Sequence, residues 1–348
     1  MTTLTKVRLN KERQPTMHDV AKRSGVSLKT VSRVINRESG VSDKLVEKVQ
    51  QAIRELDYHH NATASYLRRS DQRTATIGLL LDDVSNPFSS ALHRAVEEVA
   101  RQHESLVFAS SNADEPQREE ETIIALASRR VDGLISVPSS RDGGGLRYMQ
   151  RLGKPIVFVD RLATFHEADS VVVDNRTGAT NAVRHLAVNG HQRIAYLGDI
   201  SAKWTAAERY LGYLEGIATE GIRLDPSLVV QGVGSIEAAQ KVVVELLTKE
   251  QPPTALFTSQ NLITIGAIRA LQQLQLQQKV ALVGFDDFVL AALLTPPVTV
   301  IAQDPAALGK AAAELLFARL NGDQQPPQHI VLQTKLIVRG SGEIAPQR

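Results

Sequence analysis

The sequence predicts an α/β protein in which a small all-α module precedes a larger body with two parallel sheets. Three observations predict this class. Short helical patterns fill residues 16–57, apolar strands alternate with amphipathic helices from residue 76 onward, and charge separates between the two parts. Residues 1–73 contain fifteen Lys or Arg and eight Asp or Glu, whereas the remaining residues hold 25 basic and 30 acidic side chains. A basic module on an acidic body indicates that one end meets a polyanion.

Length and composition limit the possible classes of protein. A chain of 348 residues is too long for one ordinary core, so we expect more than one domain. The absence of cysteine excludes disulfides, thiolate catalysis and Cys-based metal sites, and it fits a reducing compartment. No apolar run approaches ~18 residues, and the first residues lack the apolar stretch of a secretory signal. We therefore expect a cytoplasmic protein without a membrane partner.

The N-terminal module, here called the headpiece (residues 16–60), follows a flexible arm at 1–15 and reads as three short helices at 17–23, 28–36 and 43–57. Thr16, Ser27 and Ser42 stand where an N-cap oxygen is needed. Gly25 suits the left-handed conformation that ends the first helix. Apolar contacts between the helices are predicted for Val20, Ala21, Val26, Val31 and Val34, and the third helix adds a stripe of Leu45, Val46, Val49, Ile53 and Leu56.

The outward face of the second helix is polar and basic. Leu28, Lys29, Thr30 and Arg33 face away from the apolar positions. A recognition helix in the DNA major groove needs such a face, because Lys and Arg donors match guanine O6 and N7 while short hydroxyls reach phosphates. A three-helix module that binds protein is the alternative that this pattern leaves open.

The motifs of the headpiece resemble the DNA-binding domain of the LacI family of bacterial transcriptional regulators. D-V-A, G-V-S, T-V-S-R-V-I-N and a helix ending in L-x-Y follow one another in "TMHDVAKRSGVSLKTVSRVINRESGVSDKLVEKVQQAIRELDYHHNATASYL". The resemblance spans about fifty consecutive positions and implies a helix-turn-helix fold. It implies that Leu28 and Lys29 choose bases and that Arg33 reads guanine. Ser27 joins the predicted DNA-binding set, and Thr16, Thr30, Ser32 and Asn36 fall where contacts to the DNA backbone are made.

The connection at 61–74 carries a second part of the same resemblance. Family members fold this segment into a hinge helix on operator DNA and insert a leucine into the minor groove. Leu67 occupies that position, and Asn61 is the predicted cap. His60 stands where a proline is usual, and Ser65 and Tyr66 replace a common Arg-Ser pair, which leaves the operator preference of the hinge open.

The remainder, here called the body (residues 75–344), alternates strands with helices. The strand patterns are TIGLLL, SLVFAS, DGLISV, PIVFVD and SVVVD, followed by RIAYLG, LVVQG, TALFTS and VALVGF. Such alternation is typical of parallel sheets covered by helices on both faces. Because about ten strands exceed the usual size of one such sheet, we expect two lobes. The expected N-lobe comprises about 75–161 and 289–321, and the expected C-lobe about 162–288 and 322–344.

The body resembles the periplasmic-binding-protein fold that other LacI-family members have. Its landmarks are DDVSNPF, VDR, GHQRIAYLG, ERYLGYLEG, LVGFDD and the stretch that begins PPVTVIAQDP. Ligands of open α/β sheets bind at the carboxyl ends of strands, where these polar landmarks lie. A sugar offers hydroxyls that carboxylate, amide and guanidinium groups take in pairs, while an aromatic ring covers its apolar face.

The predicted effector-binding residues follow from that chemistry and from the likeness to ribose-binding proteins. They are Asn86, Phe88, Asp160, Arg161, Lys203, Trp204, Thr205, Gln260, Asp286 and Gln303. Gln260 and Asn261 stand where an Asn-Asp pair is common, so a nucleoside or modified pentose is as open as ribose. Asp and Asn at strand ends can instead cap the following helix, and this alternative remains for Asp160 and Asn86.

The predicted function is sequence-specific transcriptional regulation. We expect a homodimeric repressor that holds a palindromic operator with two headpieces and responds to a sugar-like effector. A sugar-binding transport protein with a basic extension is the alternative. We expect no enzyme, because Asp82 and Asp83 have no His or further carboxylate at a spacing for catalysis, and "DGGGL" at 142–146 is expected to be a surface turn. No cofactor or metal is expected.

Overall fold

The computed structural model describes residues 15–35, 38–58, 73–139, 144–163 and 168–347. The chain divides into two compact units, residues 1–74 and residues 75–348. Among the described helices, none is both long enough and apolar enough to cross a membrane.

The described part of the first unit contains three helices, α1 (Met17–Ser24), α2 (Leu28–Ile35) and α3 (Asp43–Glu55). Their shared core contains Val20, Ala21, Val31 and Val49, as the apolar pattern predicts, with Val26, Val34, Ile53 and Leu56 packed around it. Ala52 and Tyr58 also lie in this core, although the sequence pattern did not select them. Tyr58 lies three residues after the end of α3 and is 8% exposed. Its large aromatic ring adds buried apolar area to a small core.

The body contains two six-stranded sheets, which confirms the predicted α/β class. Its elements in chain order are β1 (Thr76–Leu81), α4 (Pro87–Gln102), β2 (Leu106–Ser111), α5 (Pro116–Ser128), β3 (Leu134–Ser136), α6 (Gly144–Arg151), β4 (Ile156–Val159), β5 (Asp169–Val173), α7 (Asn175–Val188), β6 (Ile194–Leu197), α8 (Trp204–Thr219), a 3₁₀ turn (Pro226–Leu228), β7 (Val229–Val230), α9 (Ile236–Leu247), β8 (Ala255–Thr258), α10 (Asn261–Gln273), β9 (Ala281–Phe285), β10 (Thr299–Ala302), α11 (Pro305–Leu320), β11 (His329–Leu332) and β12 (Lys335–Ile337). The central strands β1, β4, β6 and β9 are buried along their whole length, as apolar strands between helical layers must be.

The first sheet has the order β11-β5-β4-β3-β1-β2, with every pair parallel. The second sheet has the order β12-β10-β9-β8-β6-β7. It is parallel except at one edge, where β12 pairs antiparallel with β10. The prediction of two parallel sheets therefore needs this one correction.

The chain passes between the lobes at other places than we expected. Strand β5 lies beyond Arg161 but pairs with β4 in the first sheet, so the first crossing follows Val173. Strand β10 belongs to the second sheet, and β11 returns to the first before β12 returns to the second. The expected boundaries near 161, 289 and 322 are wrong because an apolar run such as SVVVD fits either sheet, and only strand pairing decides between them.

The stretch "DGGGL" is also different from the expected surface turn. Within the described part of it, Gly144 begins α6 and Leu146 is fully buried. A Cβ at Gly145 would lie 3.0 Å from Ile123 Cβ and 3.1 Å from Glu120 Cα. The glycine therefore serves the close approach of α6 to α5.

A buried ion pair ties the last long helix to the first sheet. Arg319 of α11 donates Nε to Asp169 Oδ2 at 2.7 Å and Nη2 to Oδ1 at 2.8 Å. Asp169 is 3% exposed and begins β5. This two-point pairing holds α11 in the first lobe, although the strand that precedes the helix belongs to the second.

Candidate functional site

The turn between α1 and α2 is built by capping interactions. Thr16 caps α1 reciprocally with Asp19, and Gly25 ends it at φ 66° in the left-handed region. The Thr30 amide then donates to Ser27 Oγ at 3.1 Å, which caps α2. Ser42 precedes α3 but makes no cap hydrogen bond with its side chain, unlike the expectation. These caps set the direction in which α2 leaves the turn.

The outward face of α2 presents both predicted base-choosing residues to solvent. Leu28 is 40% exposed, and Ser27 and Lys29 are exposed. Thr30 and Ser32 are half-buried, and the Thr30 hydroxyl lies 2.9 Å from Ser27 Oγ. The predicted contacts Asn36, Asn61 and Leu67 lie outside the described residues.

Arg33 folds back on the loop that follows its helix. Its Nε lies 3.6 Å from Glu38 Oε2, and Nη2 donates to the Ser39 carbonyl. Gly40, at φ 89°, passes close beneath it, because a Cβ there would lie 2.9 Å from Arg33 Nη2. The Arg33 side chain is 37% exposed, so its guanidinium can turn toward a partner when it gives up these contacts.

A polar cleft of about 490 Å³ opens where strands of both sheets end. It is lined by nine of the predicted residues, namely Asn86, Phe88, Asp160, Arg161, Lys203, Thr205, Gln260, Asp286 and Gln303. Trp204 is outside this lining and is half-buried at the start of α8. The carboxyl ends of parallel strands therefore converge on one site, as the fold rule requires.

Three cleft aspartates have left-handed backbone, with φ 57° at Asp114, 67° at Asp160 and 73° at Asp286. Asp160 directly follows β4, and its amide donates to the Val171 carbonyl at 3.0 Å. Asp286 follows β9, and its amide donates to the Ile301 carbonyl at 2.9 Å. Such backbone costs roughly 1–3 kcal/mol for a residue with a side chain and is concentrated at functional sites. The sharp bend turns each carboxylate into the cleft.

Arg161 is the centre of an ion-pair network in the cleft. Its Nη2 lies 3.1 Å from Asp82 Oδ2, its Nη1 donates to Asp114, and its Nε lies 3.6 Å from Asp160 Oδ2. Arg161 is 5% exposed. Burial opposes the charged form, but Asp114, Asp160 and Asp82 outweigh it and raise the pKa of Arg161. Nε is buried and has no hydrogen-bond acceptor within normal distance.

Two contacts join the lobes across the cleft. Lys203, which precedes α8, lies with Nζ 2.6 Å from Asp114 Oδ2 and 2.9 Å from Asp199 Oδ2. Asn261 donates Nδ2 to Asn86 Oδ1 at 2.9 Å. The same Asn86 oxygen accepts the Phe88 amide at 3.0 Å, so the helix-capping alternative applies to it as well. Both lobes thus supply polar groups to one site.

Arg209 is a buried residue of the cleft lining and lies beside Asp286. It donates to Asn175 Oδ1 at 2.7 Å and to the Ser259 carbonyl at 2.6 Å. Its guanidinium lies 3.9 Å from the centroid of the Phe285 ring, and Nη1 lies 3.7 Å from Asp286 Oδ2. Gln303 donates Nε2 to the other Asp286 oxygen, which leaves Gln303 Oε1 without a donor. This part of the cleft therefore contains a free acceptor, Gln303 Oε1, and a carboxylate, that of Asp286, which is fixed by Gln303 and Arg209.

Comparison with known proteins matches both parts of the chain. Residues 16–61 match the family described as bacterial regulatory proteins, lacI family, and residues 183–342 match a periplasmic binding protein-like domain. The chain is 34% identical over 330 residues to the ribose operon repressor of Escherichia coli (strain K12), covering 94% of this chain and 99% of that protein. It is 30% identical over 337 residues to the HTH-type transcriptional repressor CytR of the same strain, covering 96% and 98%.

The chain belongs to the LacI family of bacterial regulatory proteins. Among solved structures, the lac repressor dimer bound to operator and an anti-inducer is similar with a TM-score of 0.84 and 26% identity, covering 95% of this chain and 99% of that one. The complex of the transcriptional regulator CelR with cellobiose gives 0.72 and 29%, covering 94% and 99%. This LacI-family chain is a DNA-binding transcriptional regulator, as the headpiece motifs predict.

Several cleft residues of this LacI-family protein were missed by sequence reasoning. They are Asp82, Asp83, Ser111, Ala113, Asp114, Arg118, Asp199, Arg209, Gly234 and Leu262. Asp82 and Asp83 belong to the landmark DDVSNPF, but they are not among the predicted effector-binding residues. The rule that strand ends form the site points equally to Asp114, which follows β2, and to Asp199, which follows β6. Arg209 could have been identified as an arginine on the buried face of helix α8, where a charged side chain needs a polar partner.

One carboxylate of the LacI-family cleft, that of Asp160, has a pKa that is shifted by burial. Burial raises the pKa of Asp160 to about 6, although Arg161 and Arg209 oppose the shift, and Asp82 and Asp286 add to it. At neutral pH the group is mostly ionised, but it holds a proton more readily than an ordinary aspartate. It can therefore accept a ligand hydroxyl with a charged carboxylate at neutral pH, whereas in mild acid the protonated group becomes a donor and a weaker acceptor.

Proposed function

We propose that this protein is a repressor that binds a palindromic operator as a homodimer and is controlled by a sugar-like effector in the cleft between its lobes. A ribose-like pentose or a nucleoside is the favoured effector. The observation that carries the proposal is the cleft itself, in which Asp160, Arg161, Asp286 and Gln303 converge beside Phe88. These groups supply the acceptors, donors and aromatic face that a sugar ring needs.

The contacts of the cleft support a polyhydroxyl ligand. Its size lies within the usual range for small-molecule sites. Arg161 Nε and Gln303 Oε1 each lack a hydrogen-bond partner, so the first could be satisfied by a ligand acceptor and the second by a ligand hydroxyl. The similarity to a ribose operon repressor supports the choice of a pentose-containing ligand.

The headpiece supports the DNA part of the proposal. In this proposal Leu28 and Lys29 choose bases, Arg33 reads a guanine, and Thr16, Thr30, Ser32 and Asn36 contact the DNA backbone, with Ser27 in the same DNA-binding set. Two headpieces related by a two-fold axis read two half-sites, and the likeness to a lac repressor dimer on operator supports that arrangement. The insertion of Leu67 into the minor groove remains a prediction, with Asn61 as its cap.

A gel-shift measurement combined with an effector screen tests the proposal. Operator DNA is first selected from a random library, and its complex with the full chain is then challenged with pentoses, hexoses and nucleosides. We expect a palindromic selected site and a change in operator affinity with at least one pentose or nucleoside. Failure to select any palindromic site would refute the headpiece assignment. A response to hexoses alone would refute the preference for a pentose.

A further inference from the structure

The cleft contains more acidic than basic side chains. Its lining includes the six carboxylates of Asp82, Asp83, Asp114, Asp160, Asp199 and Asp286, against the cations of Arg118, Arg161, Lys203 and Arg209. The three interior cations, Arg161, Lys203 and Arg209, each already lie within 4 Å of a carboxylate. Arg118 is exposed at the rim. The described interior of the cleft thus presents no cation without an acidic neighbour.

Asp114 has a special position among these carboxylates, because its two oxygens meet cations from different lobes. One oxygen accepts from Arg161, and the other lies 2.6 Å from Lys203 Nζ. Burial disfavours the charged form of Asp114, but Arg161 and Lys203 outweigh it and lower its pKa. A phosphate or carboxylate of a ligand would seek the same two cations, since they converge on one point.

The backbone around Asp114 holds the carboxylate there. Ala113 and Asp114 are both left-handed, with φ 54° and 57°. The Asp114 amide donates to Asn112 Oδ1 at 2.9 Å, and Asn112 in turn donates Nδ2 to the Val137 carbonyl at 3.1 Å. Asn112 is fully buried. This turn contains two strained residues and is hydrogen-bonded to the first sheet. It therefore holds Asp114 in a defined position.

We propose that Asp114 is an internal counter-ion that occupies the position an anionic ligand group would need, and that it makes the cleft selective for effectors without a phosphate or carboxylate. The inference rests on the proposed function and deepens it. The ligand class is the uncharged sugar or nucleoside, and phosphorylated derivatives of the same compounds are rejected. An added anion would have to displace Asp114 or lie beside it and beside Asp82 and Asp160, which is repulsive because the charges are alike.

Isothermal titration calorimetry on the full chain with matched pairs of ligands tests the inference. The probes are ribose with ribose 5-phosphate, and adenosine and cytidine with their 5′-monophosphates. We expect the uncharged member of a binding pair to bind at least about tenfold more tightly, since placing like charges together costs several times the thermal energy. Equal or tighter binding of the phosphorylated member overturns the inference while leaving a sugar-like effector in place. If no uncharged or phosphorylated probe binds, the proposed effector class fails and the inference fails with it.

Two isosteric variants separate the local role of Asp114 from the net charge of the cleft. Asp114→Asn frees donors on Arg161 and Lys203, so we expect the preference for the uncharged ligand to fall by about tenfold or more. Asp83→Asn removes the same charge from the cleft, but the Asp83 carboxylate accepts from Ser85 and frees no cation. This control should keep the wild-type preference. Equal loss in both variants would show that only net charge matters and would overturn the counter-ion role.

Should Asp114→Asn fail to fold, the wild-type ligand pairs still decide the selectivity, and a second variant decides its source. Lys203→Met removes one of the two cations that Asp114 holds and leaves a carboxylate with one partner fewer. We expect it to reject phosphorylated ligands at least as strongly as the wild type. Improved binding of ribose 5-phosphate to Lys203→Met would contradict the inference, because it would mean that the lysine was not the cation concealed by Asp114.

Discussion

Asp160 carries a carboxylate whose protonation should be visible in the stability of the protein. Its pKa is about 6 in the folded chain and ~3.9 in an unfolded one, so the folded state binds more protons between these values. The stabilising contribution of Asp160 is therefore complete below pH of about 4 and is lost as the pH rises through about 6. Denaturant unfolding of the wild type and Asp160→Asn at several pH values measures it. We expect the wild type to lose stability relative to the variant by roughly 1–3 kcal/mol across this window. The opposite slope would mean that its ion pairs dominate over burial.

Arg161 and Asp286 should each be required for the response to effector but not for binding to operator. Arg161→Ala and Asp286→Ala leave buried ligand hydroxyls and protein partners unpaired, which costs ~1–3 kcal/mol, or tenfold or more in affinity. Calorimetry with the identified effector, beside a gel shift with operator, measures both properties. Lys310→Ala is the control, because Lys310 is exposed on α11 and pairs with Glu314. Wild-type effector affinity in both cleft variants would place the ligand elsewhere.

Arg33 should be the strongest single determinant of operator affinity in the headpiece. Loss of a bidentate contact to guanine in Arg33→Ala costs ~1–3 kcal/mol per half-site. Glu38→Gln is an informative partner variant, because it weakens the 3.6 Å ion pair that holds Arg33 in the free protein. We expect it to keep or increase operator affinity at equal salt. An Arg33→Ala protein that binds operator like the wild type would exclude the guanine-reading role. Changes at Leu28 or Lys29 should alter which operator is chosen.

At the level of elements, helices α7 and α8 approach closely enough to require glycine. A Cβ at Gly212 would lie 2.2 Å from the Arg176 carbonyl oxygen and 2.8 Å from Ala179 Cβ. Gly212→Ala should therefore separate the helices and reduce the free energy of unfolding by ~1–3 kcal/mol. Gly234→Ala is the matched control, since the nearest atom to its Cβ is Ile200 Cδ1 at 4.0 Å. Denaturant unfolding of both variants decides it, and equal stability would exclude the steric role of Gly212.

The type of each element was largely predictable from the sequence, whereas the pairing of the strands within the sheets was not. Every strand pattern of the body contains an observed strand, because a short apolar run between helical patterns is typical of a buried strand. LVVQG nevertheless supplies only Val229–Val230, since this strand lies at the edge of its sheet. Helix α6 was missed because three successive glycines oppose a helix, and its buried contacts with α5 override that preference.

At the level of the whole molecule, the contacts of Lys203 and Asn261 across the cleft should restrain the two lobes of the body. Lys203→Met removes the ion pair to Asp114 and should speed amide hydrogen exchange around residues 112–116, because local opening becomes easier. Lys310→Met, on the surface of α11, is the control. Exchange that stays at the wild-type rate in Lys203→Met would show that this ion pair does not hold the lobes together. Effector binding should slow the exchange in both proteins.

The sequence by itself determined the headpiece motifs, most of the element types and nine of the nineteen residues that line the cleft. These depend on local patterns: caps such as Thr16 and Ser27, apolar periodicity, and polar residues directly after strands. Local patterns also identified Asp160 and Asp286, because each follows a strand that the sequence shows plainly.

Only the tertiary structure decided which of these groups meet. Arg161 pairs with Asp114 over 47 residues, and Asn261 meets Asn86 over 175 residues. The same holds for β5, β10 and β11, whose sheets were decided by pairing and not by composition. The physical reason is that ion pairs and strand ladders between distant segments depend on how the two sheets are ordered. Many orders bury the same apolar residues, and the observed order brings the Asp114 carboxylate of the first lobe to Lys203 of the second.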